Sequence, residues 1–139
     1  WKCQEKVRYI MDTFYGNKPD ALSGNDDCGQ MSAWYIFNTM GFYPTAPSSN
    51  VYNLGSPGLA AVDMKMSNGK HLRMTTGNWS ARNVFVKEVY LNGKKYDKSY
   101  ITYNDIKDGA DLHFVMSSRP NYKRGVAERA VPPSVSEKR

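Results

Sequence analysis

The sequence predicts an α+β chain in which two helices are followed by a small antiparallel β-sandwich. Three observations carry that prediction. Up to Pro44 the apolar residues recur at three-and-four spacing; from about Val51 they alternate; and two Asn-Gly pairs, Asn68-Gly69 and Asn92-Gly93, punctuate the alternating part.

The first helix is expected over Lys2–Tyr15. Cys3, Val7, Ile10, Met11 and Phe14 fall on one helical face, and Gly16, Asn17 and Pro19 end the run. The second is expected from Asp27 to Met40. Its residues Met31, Ala33, Trp34, Tyr35, Ile36, Phe37 and Met40 are apolar nearly all round, the pattern of a helix buried on most sides. Gly41 is a natural stop and Pro44 forbids continuation. Beyond it, Val62, Met64 and Met66 alternate with Asp63 and Lys65, and a hairpin turn follows at Asn68-Gly69. "NVFVKEVYLNGKKY" predicts a further strand ending at Asn92-Gly93, and "YITYNDI" and "DLHFVMS" predict two more. The chain thus divides into a helical hairpin (1–44), an antiparallel β unit (45–118) and an extended tail (119–139) with a loose end.

Composition excludes several classes. At 139 residues the chain has the length of one domain or two very small units, and its 40% hydrophobic content is that of a globular fold. No apolar run reaches the roughly 18 residues of a membrane span. The net charge of +6 raises nucleic acid as a partner, but the cations are scattered except in the tail, at Lys123, Arg124, Arg129, Lys138 and Arg139, so a solvated basic surface is the better reading. Cys3 and Cys28 are expected as free thiols, and their spacing does not define a pair. The chain opens on Trp1 without an initiator Met and reads as a piece of a longer protein.

The chemistry-bearing stretch is "SGNDDCGQMSAW", Ser23–Trp34. Asn25, Asp26 and Asp27 in front of a helix can all be caps, because their side-chain oxygens accept free backbone N–H groups. One cap, however, needs only one such residue. Gly24 and Gly29 allow close approach of a ligand, and the helix behind is a firm support. A carboxylate at a helix N-terminus is held ionised, which suits a general base and not a general acid. Gln30 and Ser32 could orient Asp27 or a water, or simply make helix-surface hydrogen bonds.

"GNDDCGQMSAWYIFNTMGFYPTAPSSNVYNLGSPG", with the later "LNGKKYD" and "FVMSSRPN", resembles the C-terminal signature of glycoside hydrolase family 92, the exo-acting and mostly bacterial α-mannosidases. The likeness runs from about Val7 to Gly125. It implies that the two helices close an (α/α)6 barrel and that the parent protein removes terminal α-linked mannose from glycans with inversion and with calcium. It also implies a periplasmic or secreted location. By the same resemblance Asp27 is the general base, Asp26 supports it and Asn25 orients base or water. The general acid and most calcium ligands belong upstream, so this chain alone is expected to be inactive. Removed from the barrel, the apolar second helix needs cover from the β unit or from a second copy, which implies self-association. Two departures stand out: Ala21 replaces a Gly of the pre-motif loop, and Arg124 stands where a Trp is commoner.

The remaining residues have weaker claims. Trp34, Tyr35, Phe37, Phe42 and Tyr43 are read as core, whereas Trp79, in a loop between strands, is a candidate for stacking on a sugar. Asn78–Ser80 is a glycosylation sequon that matters only in a eukaryotic secretory pathway. His71 and His113 lack zinc-site spacing, and Ser23 and Ser32 lack a nucleophile's setting. The competing reading is a non-catalytic carbohydrate-binding β-sandwich in which the acids are caps alone.

Overall fold

Both helices form, but the second starts late. In the computed structural model, which describes residues 1–134, α1 spans Lys2–Phe14 and α2 spans Gln30–Thr39. Asp27, Cys28 and Gly29 have φ of 51°, 61° and 89°, so the chain makes a left-handed turn where the sequence predicts the first helical residues. The strands are β1 (Phe42–Tyr43), β2 (Val51–Leu54), β3 (Ala61–Lys65), β4 (His71–Gly77), β5 (Phe85–Leu91), β6 (Lys94–Lys95), β7 (Tyr100–Thr102) and β8 (Ala110–Ser117). They form a three-stranded sheet in the order β1-β2-β7 and a five-stranded sheet in the order β3-β4-β8-β5-β6.

The two sheets share one core. Phe42, Leu54 and Ile101 from the smaller sheet join Leu72, Met74, Val86, Val89, Leu112, Phe114 and Met116 from the larger, with Met40 capping the cluster from the end of α2. The α+β sandwich predicted from the period change is therefore present. Among the described residues all strand pairs are antiparallel but one: β8 returns between β4 and β5 and runs parallel to β4, from Leu72↔Ala110 to Gly77↔Val115. A parallel pair needs a long crossover, and here β5, β6 and β7 lie along it. The central position of β8 explains its alternation, with Ala110, Leu112, Phe114 and Met116 buried. A bulge at Lys87 gives β5 an extra residue, which keeps Val86 and Val89 on the same buried face despite a spacing of three.

Three local expectations change. First, "YITYNDI" is only half strand. Thr102 and Asp105 form a reciprocal capping box, and a one-turn helix α3 (Tyr103–Ile106) replaces the extended chain. Second, α1 buries the predicted stripe only in part, with Met11 buried and Val7 and Ile10 half-buried. Cys3 is exposed and Phe14 is 42% exposed, while Gln4, Arg8 and Met11 are buried. The reason is hydrogen bonding, since backbone groups covered by the helix need partners. Gln4 Oε1 accepts the Val86 N–H at 3.0 Å, and an Arg8 Nη donates to the Pro57 carbonyl at 2.9 Å. Third, α2 is not covered all round: Phe37 packs on the core, but Tyr35 and Ile36 are exposed, as are Tyr9 and Phe14 of α1.

The segment expected as an extended tail is docked as far as it is described. Asn121 donates to the Lys87 carbonyl, Arg124 to the Lys98 carbonyl, and the N–H and hydroxyl of Ser99 both reach the Ala130 carbonyl at 2.8 Å. Arg124, where a Trp was expected, is thus a tether. Residues 135–139, including Lys138 and Arg139 and the expected loose end, lie outside the described residues.

On the exposed β3–β4 hairpin, the Asp63 carboxylate contacts His71 Nδ1 and accepts from Arg73 Nε at 3.2 Å. The His71 hydrogen bond first, and Arg73 with it, hold the Asp63 carboxyl below its ordinary range. The depressed value favours the folded state while Asp63 is ionised, so this contribution is present above the usual carboxylate range of about pH 4 and fades as pH falls through the lower folded value. Thermal melts run down an acid series should therefore show a shallower acid-side loss for Asp63→Asn than for the native chain. Identical slopes would remove the ion cluster as the cause.

Candidate functional site

The motif turn is set by what precedes it. Tyr15, just after α1, forms a backbone bridge with Leu22 that closes the intervening loop, in which Ala21 donates its N–H to the Lys18 carbonyl. Its ring stacks on Trp34 (5.5 Å, 15°) and on Tyr35 (4.8 Å, 23°), and its hydroxyl donates to the Met31 carbonyl at 3.2 Å. Burial above all, and the neighbouring Asp26 carboxylate, push the Tyr15 hydroxyl above its ordinary value and keep it a donor. The end of α1 is thereby fastened to the first turn of α2. Sequence reading assigned Trp34 and Tyr35 to the core and missed Tyr15, because side chains on separate helices stack only once the helices have packed.

Between these anchors the two aspartates take different positions. Asp26 is committed to the helix. Its carboxylate accepts the Ser32 N–H at 2.8 Å and the Ser32 hydroxyl at 2.9 Å, and its carbonyl accepts the Met31 N–H at 3.3 Å. It does the work of an N-cap although Gly29 occupies that position without a side chain to offer. Ser32 is therefore a partner of Asp26 and not of Asp27.

Asp27 is exposed, and among the described residues its carboxylate has no hydrogen bond or ion pair. Its backbone, by contrast, is held: its N–H donates to Asn25 Oδ1 at 3.2 Å and its carbonyl accepts the Gln30 N–H at 3.3 Å. Two consecutive non-glycine residues with positive φ, Asp27 and Cys28, cost roughly 1–3 kcal/mol each. They persist because Asn25, Asp26 and Gly29 over-determine the turn. The result is an ionisable oxygen pair carried on a fixed backbone and facing outward.

The other candidate residues are distributed more widely. Gln30 is exposed on the first turn of α2, three residues from Asp27. Trp79 is 47% exposed on the loop between β4 and β5, where Asn83 donates to the Asn78 carbonyl; its ring belongs to the β unit and the aspartates to the helix pair. Cys3 and Cys28 are free and exposed. Among the described residues no three His, Cys, Asp or Glu side chains gather as a metal site. Calcium takes six to eight oxygen ligands; with Asp26 engaged by Ser32, the Asp27 turn does not fit that ion by itself. No helix among the described residues is long and apolar enough to cross a membrane.

Comparison with known proteins bears on these features. The profile of the glycosyl hydrolase family 92 catalytic domain matches residues 1–118. The chain is similar to a family GH92 α-mannosidase from Bacteroides thetaiotaomicron, with 67% identity, a TM-score of 0.95, and coverage of 99% of this chain and 18% of that one. It also resembles a family GH92 inverting mannosidase from the same organism, at 34% identity and a TM-score of 0.91, covering 99% of this chain and 19% of that one. An uncharacterized secreted glycosidase of Arthroderma benhamiae is 30% identical over 130 residues, which is 91% of this chain and 16% of that protein. The chain thus spans less than a fifth of the length of these relatives.

Proposed function

This chain belongs to glycosyl hydrolase family 92, and from that premise we propose that it is the C-terminal part of a calcium-dependent inverting α-mannosidase that releases terminal α-linked mannose from glycans, carrying the general base but not the general acid. One observation carries the proposal: of two adjacent aspartates, Asp26 is bonded into the helix end and Asp27 is left free on a strained, rigidly held turn. A base must be within reach of water and fixed in direction. Asp27 is exposed and its backbone is fixed by the Asn25 and Gln30 bonds, whereas both carboxylate oxygens of Asp26 are taken up by Ser32.

In this reading Asp27 takes a proton from a water as that water attacks the anomeric carbon, on the face opposite the departing group. Inversion needs an acid and a base about 6.5–9.5 Å apart with the water between them, and an outward-facing carboxylate leaves that room. Asn25 positions the base by accepting the Asp27 backbone N–H on its side-chain oxygen. Asp26 and Ser32 hold the helix end on which the turn rests, and Gln30 is near enough along the chain to assist with water or sugar. The acid and the calcium ligands belong to the remainder of the catalytic domain, and no step assigned to this chain runs through the metal. The exposed apolar side chains Tyr9 and Phe14 of α1 and Tyr35 and Ile36 of α2 are covered by that remainder, or by a second copy when the chain is alone. The secreted fungal relative supports a secreted location.

Purified chain and full-length parent, assayed side by side on α-mannosides, test the division of the catalytic pair. Mannose should be released by the parent alone. Release by the isolated chain would show that the acid is here after all. The exposure of Trp79 favours one rival, a carbohydrate-binding sandwich, which predicts mannoside binding by the isolated chain that is lost in Trp79→Ala.

A further inference from the structure

Two of the scattered cations, Lys87 and Lys95, meet three of the tail in the fold. A cavity of about 330 Å³ lies between β5–β6 and the docked segment that follows β8, and Lys87, Lys95, Lys123, Arg124 and Arg129 line it against only two acids, Glu88 and Asp97. The acids are accounted for. Glu88 pairs with Lys95 at 3.8 Å and accepts the Tyr90 hydroxyl, while burial holds the Arg124 guanidinium below its ordinary value and the charge of Asp97 offsets part of that. Lys87, Lys123 and Arg129 remain, and none of the three has an ion pair among the described residues.

The walls are built and not incidental. The β-bulge sets Lys87 at the rim, and bulges commonly re-aim a side chain. The Lys87 carbonyl is then clamped by Asn121, and Arg124 ties the facing segment to the Lys98 carbonyl. Gly125 comes so close to Ser99 that a Cβ there would lie 2.9 Å from the serine's own, which keeps the segment tight against the sheet. Three unbalanced cations around one concavity repel each other and focus a positive potential into it. A group of matching charge and many acceptor oxygens relieves that repulsion.

We propose that this cavity binds a tetrahedral oxyanion, a phosphate or sulfate group, either free or as the ester of a sugar. The site is separate from the Asp27 turn and independent of the mannosidase reading. The part of its wall from Asn121 to Ala130 lies beyond the 1–118 match to the family's catalytic domain.

The test uses the full chain at low ionic strength, titrated with inorganic phosphate, inorganic sulfate and glucose 6-phosphate and followed by calorimetry. Saturable binding is expected, with a dissociation constant of about 1 mM or tighter. Lys123→Glu and Arg129→Glu should each weaken it about tenfold or more, with unchanged circular dichroism, because both side chains are exposed. Lys6→Glu on α1, outside the cavity, controls for net charge. Tighter binding of glucose 6-phosphate than of phosphate would identify the ester as the ligand, and equal binding the free oxyanion. Absence of saturation with all three probes overturns the proposal, as does an equal loss in Lys6→Glu. Should Lys123→Glu fail to fold, Lys123→Gln with a milder loss carries the same reading, and unchanged affinity in that variant refutes it.

Discussion

Asp27→Asn in the full-length parent is expected to lower turnover of α-mannosides by about 10²–10⁴-fold, the range that a general base contributes. The substitution keeps shape and backbone. The Asn25 and Gln30 bonds to residue 27 are both to main-chain atoms and survive it. KM, and the affinity for a mannose-like inhibitor, should therefore change little. Asp26→Asn should behave differently. It weakens the Ser32 bonds and with them the helix end, at a cost of about 0.5–2 kcal/mol in stability. Its effect on turnover follows from displacement of Asp27 and should be smaller. If Asp26→Asn were the inactive variant and Asp27→Asn the active one, the roles assigned to the two residues would have to be exchanged. If neither lowered turnover, the cap-only reading and the carbohydrate-binding sandwich would be left.

Phe114→Ala should be the most damaging substitution for folding. The ring is completely buried on the central strand of the larger sheet, within the core that both sheets share. It also seats the connection from α2: a Cβ added at Gly41 would lie 3.0 Å from the ring tip, and the φ of 87° at Gly41 already demands glycine. Removing the ring leaves a cavity that neither neighbour can fill. The loss expected is about 3–5 kcal/mol, and the melting temperature should fall on the order of 10–20 °C. Denaturant unfolding measures it directly. Phe114→Leu, which retains most of the volume, should cost far less. Equal stability of the alanine variant and the native chain would contradict the shared core.

Several elements were legible because their causes are local. The Asn92-Gly93 turn has positive φ at both residues, as the dipeptide announces. The alternation of "DLHFVMS" matches the burial of β8 residue by residue. The elements misjudged have distant causes. The polar buried face of α1 exists because Val86 and Pro57, far along the chain, needed hydrogen-bond partners. The parallel β4–β8 pair depends on a crossover that no dipeptide encodes. The cationic cavity has the same kind of cause: Lys87 and Arg129 line one concavity only once the segment after β8 docks on β5. The short helix α3 is an exception, since its cause is local: Thr102 and Asp105 stand at the spacing of a capping box.

Spacing and punctuation alone were sufficient for two helices, a period-two β unit and a conspicuous Asn-Asp-Asp turn, since each follows from steric and hydrogen-bonding rules that act within a few residues. Those rules treat Asp26 and Asp27 alike. Packing separated them. Once Tyr15 stacked on Trp34 and Tyr35 and fastened α1 to α2, only one of the two carboxylates could reach Ser32, and the left-handed turn carried the other outward.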